Sequence, residues 1–479
     1  MADIAGPVIG PTAGPELLIE LDRAGELPLH EQLERALRQN IRSGRLPAGA
    51  RLPSTRGLAR ELGLSRGVVT EAYGQLSAEG YLETRQGAAV RVARAVRAAV
   101  PHVPARSLLP SFPYHFHSGL PDLAGFPRDR WLRSLRAAWR ESPLGAVGYG
   151  DPRGVPRLRE VLGDYLARVR GAAVDPENMM ICTGFMQGFS IVCRLLAARG
   201  AEAIAVEDPG WPMHRLIAEH AGLRLIPVPV DAEGLQVQAL AGSEASAVLV
   251  TAAHQCPTGS VLSRERRAAL IEWAEEGERL IVEDDFDGEF RYDRVAVGAL
   301  QGLAPERVLY IGSASKRLAP GMRLGWMLSP SWLAWQLISA KAIEDGGSEV
   351  VGQLALCDFI ERGELDRHTR RMRLRYASRR EALLQALARW LPQGRVGACG
   401  AAGLFELVRL PEQVDEAALA KRAATLGVGV EGLAAYRFFH EGPPGILLGY
   451  GNLSEPAIEH GVRLIAQAHG ATDGSVPST

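Results

Sequence analysis

The chain's 479 residues exceed one compact domain, so two or three domains are expected. Hydrophobic residues make up 47% and charged residues 23%, the balance of a soluble globular protein, and a formal net charge of −1 means that any basic surface must be local. Five scattered cysteines (Cys182, Cys193, Cys256, Cys357, Cys399), odd in number and without a CxxC pair, argue against a disulfide framework or a zinc site; with no long apolar run and no basic-then-apolar leader, a cytoplasmic location without a membrane partner is expected.

Residues 52 to 92, LPSTRGLARELGLSRGVVTEAYGQLSAEGYLETRQGAAVRV, hold two helical patterns around a tight turn. The first carries Leu58, Ala59 and Leu62; after GLS comes a second, with Val69, Ala72, Tyr73 and Leu76 at core spacing. Ser65 suits the second helix as N-cap. Arg66, Gly67 and Thr70 then fall near its exposed start, where a recognition helix meets base edges. Gly67 weakens a helix but lets a backbone approach DNA closely. The stretch YLETRQGAAVRV reads as a two-stranded wing with Arg85 and Gly87 near its tip. A helical adaptor with merely solvated arginines is the alternative that charge alone leaves open. The segment from Pro28 to Val92, including PLHEQLERALRQNIRSGRLPAGARLPSTRGLARELGLSR, resembles the winged helix of GntR-type regulators. That resemblance implies contacts to double-stranded DNA from Arg56, Ser65, Arg66, Thr70 and the wing around Gly87. Arg56, Arg66 and Arg85 can each meet phosphate or guanine.

Next comes ARAVRAAVPHVPARSLLPSFPYHF, whose Pro101, Pro104, Pro110 and Pro113 favour extended backbone. The expected division is a winged helix-turn-helix domain at 15–92, a linker at 93–114, a large domain at 115–470 and a disordered tail at 471–479. In the large domain helical stretches alternate with short apolar runs: MMIC (179–182), AIAV (203–206), AVLV (247–250), LIVE (280–283) and VLYIG (308–312). Such alternation implies parallel βαβ units in an α/β domain, whose ligands sit at the carboxyl ends of the strands.

Lysine is nearly absent, occurring only at Lys316, Lys341 and Lys421. A primary amine can lose its proton and attack a carbonyl, which a guanidinium effectively cannot. Lys316, in GSASKRLAPGMRLGW, follows the VLYIG run and is flanked by Ser313, Ser315 and Arg323, groups able to hold a phosphorylated aldehyde beside a Schiff-base lysine. LIVEDDFDGEF puts Asp284 just after a strand, a candidate partner for the ring nitrogen of pyridoxal 5'-phosphate (PLP). ICTGFMQGF opens a helix through Thr183 and Gly184, a seat for a phosphate, and VEDPGWPMHR places Trp211 where its indole could stack on a ring. Lys341 and Lys421, in helical contexts without such neighbours, read as solvated.

Taken in order, these stretches and GYGDPRGVPRLREVLGDYL (148–166) resemble the fold-type I aminotransferases over roughly residues 115 to 468. The resemblance implies that Lys316 forms the Schiff base, Asp284 pairs with the pyridinium and Trp211 stacks on the ring. It also implies that Gly184, Phe185 and Met186, with Ser313, Ser315 and Arg323, hold the phosphate. A winged helix joined to such a domain, with EDDFDGEFRYD and HQCPTG, is similar to the MocR subfamily of GntR-type regulators. That likeness implies a homodimer and a PLP-dependent transcriptional regulator. Its effector would be PLP itself, as in vitamin B6 regulators, or a small amine or amino acid received by bound PLP.

Three positions depart from the enzymes. Phe286 stands where a tyrosine commonly bonds the ring hydroxyl, Cys256 where an asparagine does, and Leu447 in GILLGYGNL where an arginine usually grips a substrate carboxylate. Loss of that bidentate clamp argues against efficient transamination. The rivals are an active aminotransferase with a DNA-binding appendage and a large domain that has lost its cofactor and only dimerises. Cys256 itself reads as a small packed thiol.

Overall fold

The computed structural model describes residues 19, 21–84, 89–94, 112–293, 297–397, 401–439 and 442–470. The chain divides into two compact units, Met1–Leu108 and Leu109–Thr479. Most of the expected linker, the wing tip with Arg85 and Gly87, Cys399 and the tail lie outside the described residues.

The first unit holds α1 (Leu29–Arg42), α2 (Thr55–Leu62), α3 (Arg66–Ala78), β1 (Leu82–Glu83) and β2 (Arg91–Val92). In α1, Leu33, Leu37 and Ile41 recur every four residues and are buried, which sets the face it packs on α3. From α3, Val69, Ala72, Tyr73 and Leu76 enter the same core, the set expected from their spacing. Ser54 caps α2 by accepting from Gly57 N at 3.1 Å, and Gly63 ends it with φ +64. Ser65 caps α3, accepting from Val68 N at 3.4 Å. β1 and β2 pair antiparallel, Leu82 opposite Val92, and the backbone of residues 50–52 bonds to the other edge of β2.

The second unit begins with β3 (Tyr114–His115), α4 (Arg128–Glu141) and α5 (Pro156–Arg170). Strands and helices then alternate: β4 (Met179–Cys182), α6 (Phe185–Ala198), β5 (Ala203–Asp208), α7 (Pro212–His220), β6 (Arg224–Asp231), β7 (Gly234–Leu235), β8 (Ala247–Val250), α8 (Arg264–Glu276), β9 (Leu280–Asp285), β10 (Val308–Ser313) and β11 (Gly325–Leu328). They form one sheet in the order β4-β11-β10-β9-β8-β5-β6-β7. β11 runs antiparallel to both neighbours and β7 antiparallel to β6; the other pairs are parallel. All five strands expected from apolar runs are present. β6 and β11 were not anticipated: two prolines interrupt β6, and β11 returns without a crossover helix to announce it.

Alternate residues cover opposite faces. Met179 and Ile181 pack with α5, while Met180 and Cys182 pack with α6, so helices shield both sides of the sheet. The remainder comprises α9 (Ser331–Asp345), α10 (Val350–Glu361), the long α11 (Glu364–Trp390), β12 (Arg395–Val396), β13 (Phe405–Arg409), α12 (Glu416–Thr425), β14 (Val428–Gly429), β15 (Glu431–Gly432), β16 (Gly445–Gly449) and α13 (Glu455–Gly470). β12, β13, β16 and β15 make a second sheet, antiparallel throughout, with a separate core shared with α11 and α13. β3 pairs parallel with β14, and Gly449 N donates to Phe116 O, so residues 114–119 are threaded past the second sheet. A Cβ at Gly449 would stand 1.9 Å from His117 O, so only glycine permits that passage.

Among the described residues no helix is long and apolar enough to cross a membrane. Leu76 has no exposed surface. Leu76→Ala should destabilise the first unit by about 2–5 kcal/mol, with hydrogen exchange localising the loss to residues 29–92.

Candidate functional site

The carboxyl ends of β4, β5, β8, β9 and β10 converge on a cavity of about 210 Å³, each supplying lining residues at its end or just beyond. This is where an open parallel sheet presents its ligand-binding groups. A second cleft of about 570 Å³, between Tyr165, Arg291 and Arg373, contains no lysine.

Lys316 lies three residues beyond β10, and its Nζ donates to the Gly119 carbonyl at 2.5 Å. A Cβ at Gly119 would meet Nζ at 2.6 Å, so a side chain there would push the flexible lysine tip aside. Burial pushes the Lys316 pKa below the usual lysine value, opposed by the carboxylates of Asp287, Asp284 and Glu431. A lysine so placed yields its neutral, nucleophilic amine more readily than a solvated one.

Asp284 is the penultimate residue of β9, one strand position further in than LIVE alone implied. The strand continues through its acidic end because both aspartates are buried with partners. Asp284 Oδ2 lies 3.0 Å from His214 Nε2, while Asp285 accepts from Arg170 and Tyr310. Burial raises the Asp284 pKa, and the bond from His214 works against that. His214 was missed in the sequence. Its signal was the i, i+3 spacing from Trp211, which sets Trp211 at the N-cap and His214 in the first turn of α7, their rings 5.2 Å apart and nearly perpendicular.

Gly184 precedes α6 with φ +121, and among the described residues no side chain caps α6, so its first N–H groups can meet a ligand. Arg323 approaches this end, its Nη2 being 3.2 Å from where a Gly184 Cβ would lie. It is exposed and, among the described residues, has no carboxylate partner. Ser313 Oγ is buried and accepts from Ser315 N at 3.4 Å. Two hydroxyls, an unpaired guanidinium and a helix start make a set of donors suited to a phosphate dianion. Phe185 and Met186, from the first turn of α6, line the same cavity, as does Trp211.

Lys341 corrects an expectation. It is not solvated but has no exposed surface, because α9 turns it inward against α6. Asp345, one turn on, compensates its charge at 3.0 Å. Asp345 also accepts from Gln187 Nε2 at 2.9 Å, and Gln187 Oε1 accepts from Thr183 N at 2.8 Å. The buried lysine thus braces the turn that opens α6. Lys421 is exposed, as expected.

Of the departing residues, Phe286 and Cys256 line the cavity. Cys256 is buried, and burial pushes its thiol well up, as befits a packed side chain. Leu447 lies beside the cavity, fully buried in an apolar cluster with Cys256 and Phe405. His117, Ser118 and Gly119 also line it. They were not singled out, since their placement depends on the β3–β14 pairing, which no local pattern signals.

In the first unit, Arg56, Ser65, Arg66, Gly67 and Thr70 are all exposed around the starts of α2 and α3. Thr70 Oγ1 donates to Arg66 O at 2.8 Å, and Arg66 Nε lies 3.4 Å from Thr55 Oγ1. A Cβ on Gly67 would touch only Ser65 Oγ, at an ordinary 3.7 Å. The fold therefore does not demand glycine there.

Residues 29–92 match the gntR family of bacterial regulatory proteins, and residues 125–433 match the class I and II aminotransferases. Over 480 residues the chain is 32% identical to the probable rhizopine catabolism regulatory protein MocR of Rhizobium meliloti, covering 96% of this chain and 97% of the relative. It is also 32% identical, covering 92% and 96%, to the pyridoxine biosynthesis transcriptional regulator PdxR of Corynebacterium glutamicum. Among solved structures, the kynurenine aminotransferase of Pyrococcus horikoshii is similar with a TM-score of 0.69 and 26% identity, over 75% of this chain and 91% of that one. The chain belongs to the MocR subfamily of GntR-type transcriptional regulators, in which a winged helix is joined to an aminotransferase class I and II domain.

Proposed function

We propose that this regulator binds operator DNA through its winged helix and responds to PLP held through Lys316, either as the signal itself or as the receptor for an amine. The observation that carries this reading is the placement of Lys316 in one cavity with buried Asp284 and the unpaired Arg323. Bound PLP supplies an electrophilic aldehyde and an electron-withdrawing ring. The residues have complementary tasks. Lys316 offers the amine, Asp284, steadied by His214, holds a proton at the ring nitrogen, and Trp211 flanks the ring. Ser313, Ser315, Arg323 and the first turn of α6 anchor the phosphate.

Such occupancy biases the large domain toward one arrangement, and by linkage DNA and cofactor must alter each other's affinity by the same factor. A homodimer suits the exposed apolar side chains Trp139, Trp335, Ile343 and Leu374, and would present two winged helices to two half-sites. The rival reading, an active aminotransferase, draws on the intact Lys316, Asp284 and Arg323. Leu447 weighs against it, because a buried aliphatic side chain cannot clamp a carboxylate.

PLP added to the purified protein should raise a visible absorbance band that borohydride removes, and Lys316→Ala should lack it while keeping its circular dichroism. No band in either protein would leave the large domain a cofactor-free scaffold. DNA titrations with and without PLP then test whether the cofactor is the signal, an unchanged affinity counting against it. Lys341→Met should weaken PLP binding about tenfold without removing the band, read by equilibrium dialysis, since Asp345 and Gln187 lose their brace. Gly67→Ala should stabilise α3 by up to about 1 kcal/mol yet weaken operator binding. Equal or tighter DNA binding by that variant would show that the α3 backbone does not approach DNA closely.

A further inference from the structure

The cavity has a charge pattern that bears on which amine it receives. Leu447 on β16 is buried against Cys256 and Phe405, and its cross-strand neighbour on β15 is Glu431. A position associated with an arginine in the enzymes is thus apolar here, and the residue beside it is acidic. Glu431 Oε2 accepts from Ser118 Oγ at 2.9 Å and from the Tyr436 hydroxyl. Among the described residues its other oxygen, Oε1, has two long contacts, 3.4 Å to Ser118 N and 3.6 Å to His117 Nδ1. His117 and Ser118 line the cavity, so Glu431 stands immediately behind its wall, with its side chain 28% exposed.

Among the lining residues, Lys316 and Arg323 are the only lysine and arginine, and Arg323 is placed beside Gly184. A carboxylate presented toward His117 and Ser118 would therefore meet Glu431 with no guanidinium to offset it. An ammonium presented there would find a carboxylate oxygen with spare accepting capacity. In a confined, partly dry site this sign difference discriminates between ligands of equal length.

We propose that the cavity selects short aliphatic diamines, primary amines that bear a second ammonium and no acidic group, and rejects ω-amino acids of the same length, with Glu431 as the specificity-determining residue. The inference rests on Lys316 holding PLP. One amine of the ligand exchanges for Lys316 at the aldehyde carbon. The new C–N bond forms, the bond to Nζ breaks, and two protons pass from the ligand nitrogen to Nζ, with no net oxidation or reduction. The second ammonium is then held by Glu431 Oε1.

The test uses the full-length protein loaded with PLP and freed of excess cofactor by gel filtration. 1,4-Diaminobutane, 4-aminobutyrate and butylamine are titrated separately, each followed by the shift of the visible band. The diamine is expected to bind at least tenfold more tightly than 4-aminobutyrate, with butylamine between them. Glu431→Gln, which can still accept from Ser118 and Tyr436, should bring all three within about threefold, its band and melting temperature showing that the fold is kept. If the wild type binds 4-aminobutyrate as tightly as the diamine, the inference falls while the cofactor reading stands. An unchanged preference in Glu431→Gln also overturns it, since selectivity then lies elsewhere. If PLP raises no band in the wild type, the cofactor reading fails first and takes this inference with it.

Discussion

The large domain depends on how it accommodates five buried carboxylates within seven residues at the end of β9. Glu283, Asp284, Asp285, Asp287 and Glu289 are all nearly inaccessible to solvent, and each has its own partner. Glu283 accepts from the backbone of Leu300 and Gln301, Asp284 faces His214, Asp285 faces Arg170 and Tyr310, Asp287 faces His254, and Glu289 faces Arg317 and Tyr165. A buried charge deprived of its partner costs about 3–5 kcal/mol. The partners come from α5, α7, β10 and the loops that follow β8, β9 and β10, so satisfying this one stretch fixes much of the sheet's surroundings.

The same stretch sends its side chains into two different environments by the two-residue period of a strand. Asp284 and Asp285 are adjacent and point to opposite faces. Asp285, held well ionised by Arg170 and Arg317 despite its burial, locks β9 to α5 and β10. Asp284 is turned to the cavity, where it bonds His214, lies within reach of the Lys316 charge, and has its pKa held up by burial. An ionised Asp284 is therefore favoured when a cation comes to it, the condition a protonated ring nitrogen would meet.

Much of this was legible in the sequence where function follows from local pattern. The α3 core residues and five parallel strands follow from periodicity, while the grouping of Lys316 with Asp284, Trp211, Ser313 and Arg323 rests on positions after strands together with the resemblance to the aminotransferases. What was not legible depends on pairing between distant segments. His117, Ser118 and Gly119 reach Lys316 because β3 joins β14 more than 300 residues away. Glu431 gains its meaning only through the β15–β16 register with Leu447. Lys341 read as solvated because it lacks the neighbours that Lys316 has, and its burial comes from the packing of α9 on α6, a contact between distant segments.

The three lysines also give the protein an unusual chemical addressability. Lys341 is enclosed and engaged with Asp345, Lys421 is open to solvent, and Lys316 lines a cavity of about 210 Å³. Amine-directed reagents therefore meet three side chains in three distinct environments. Their relative labelling rates report separately on solvent, on the packed interior and on the state of the ligand site, a natural set of internal standards that a lysine-rich protein of this size would not provide.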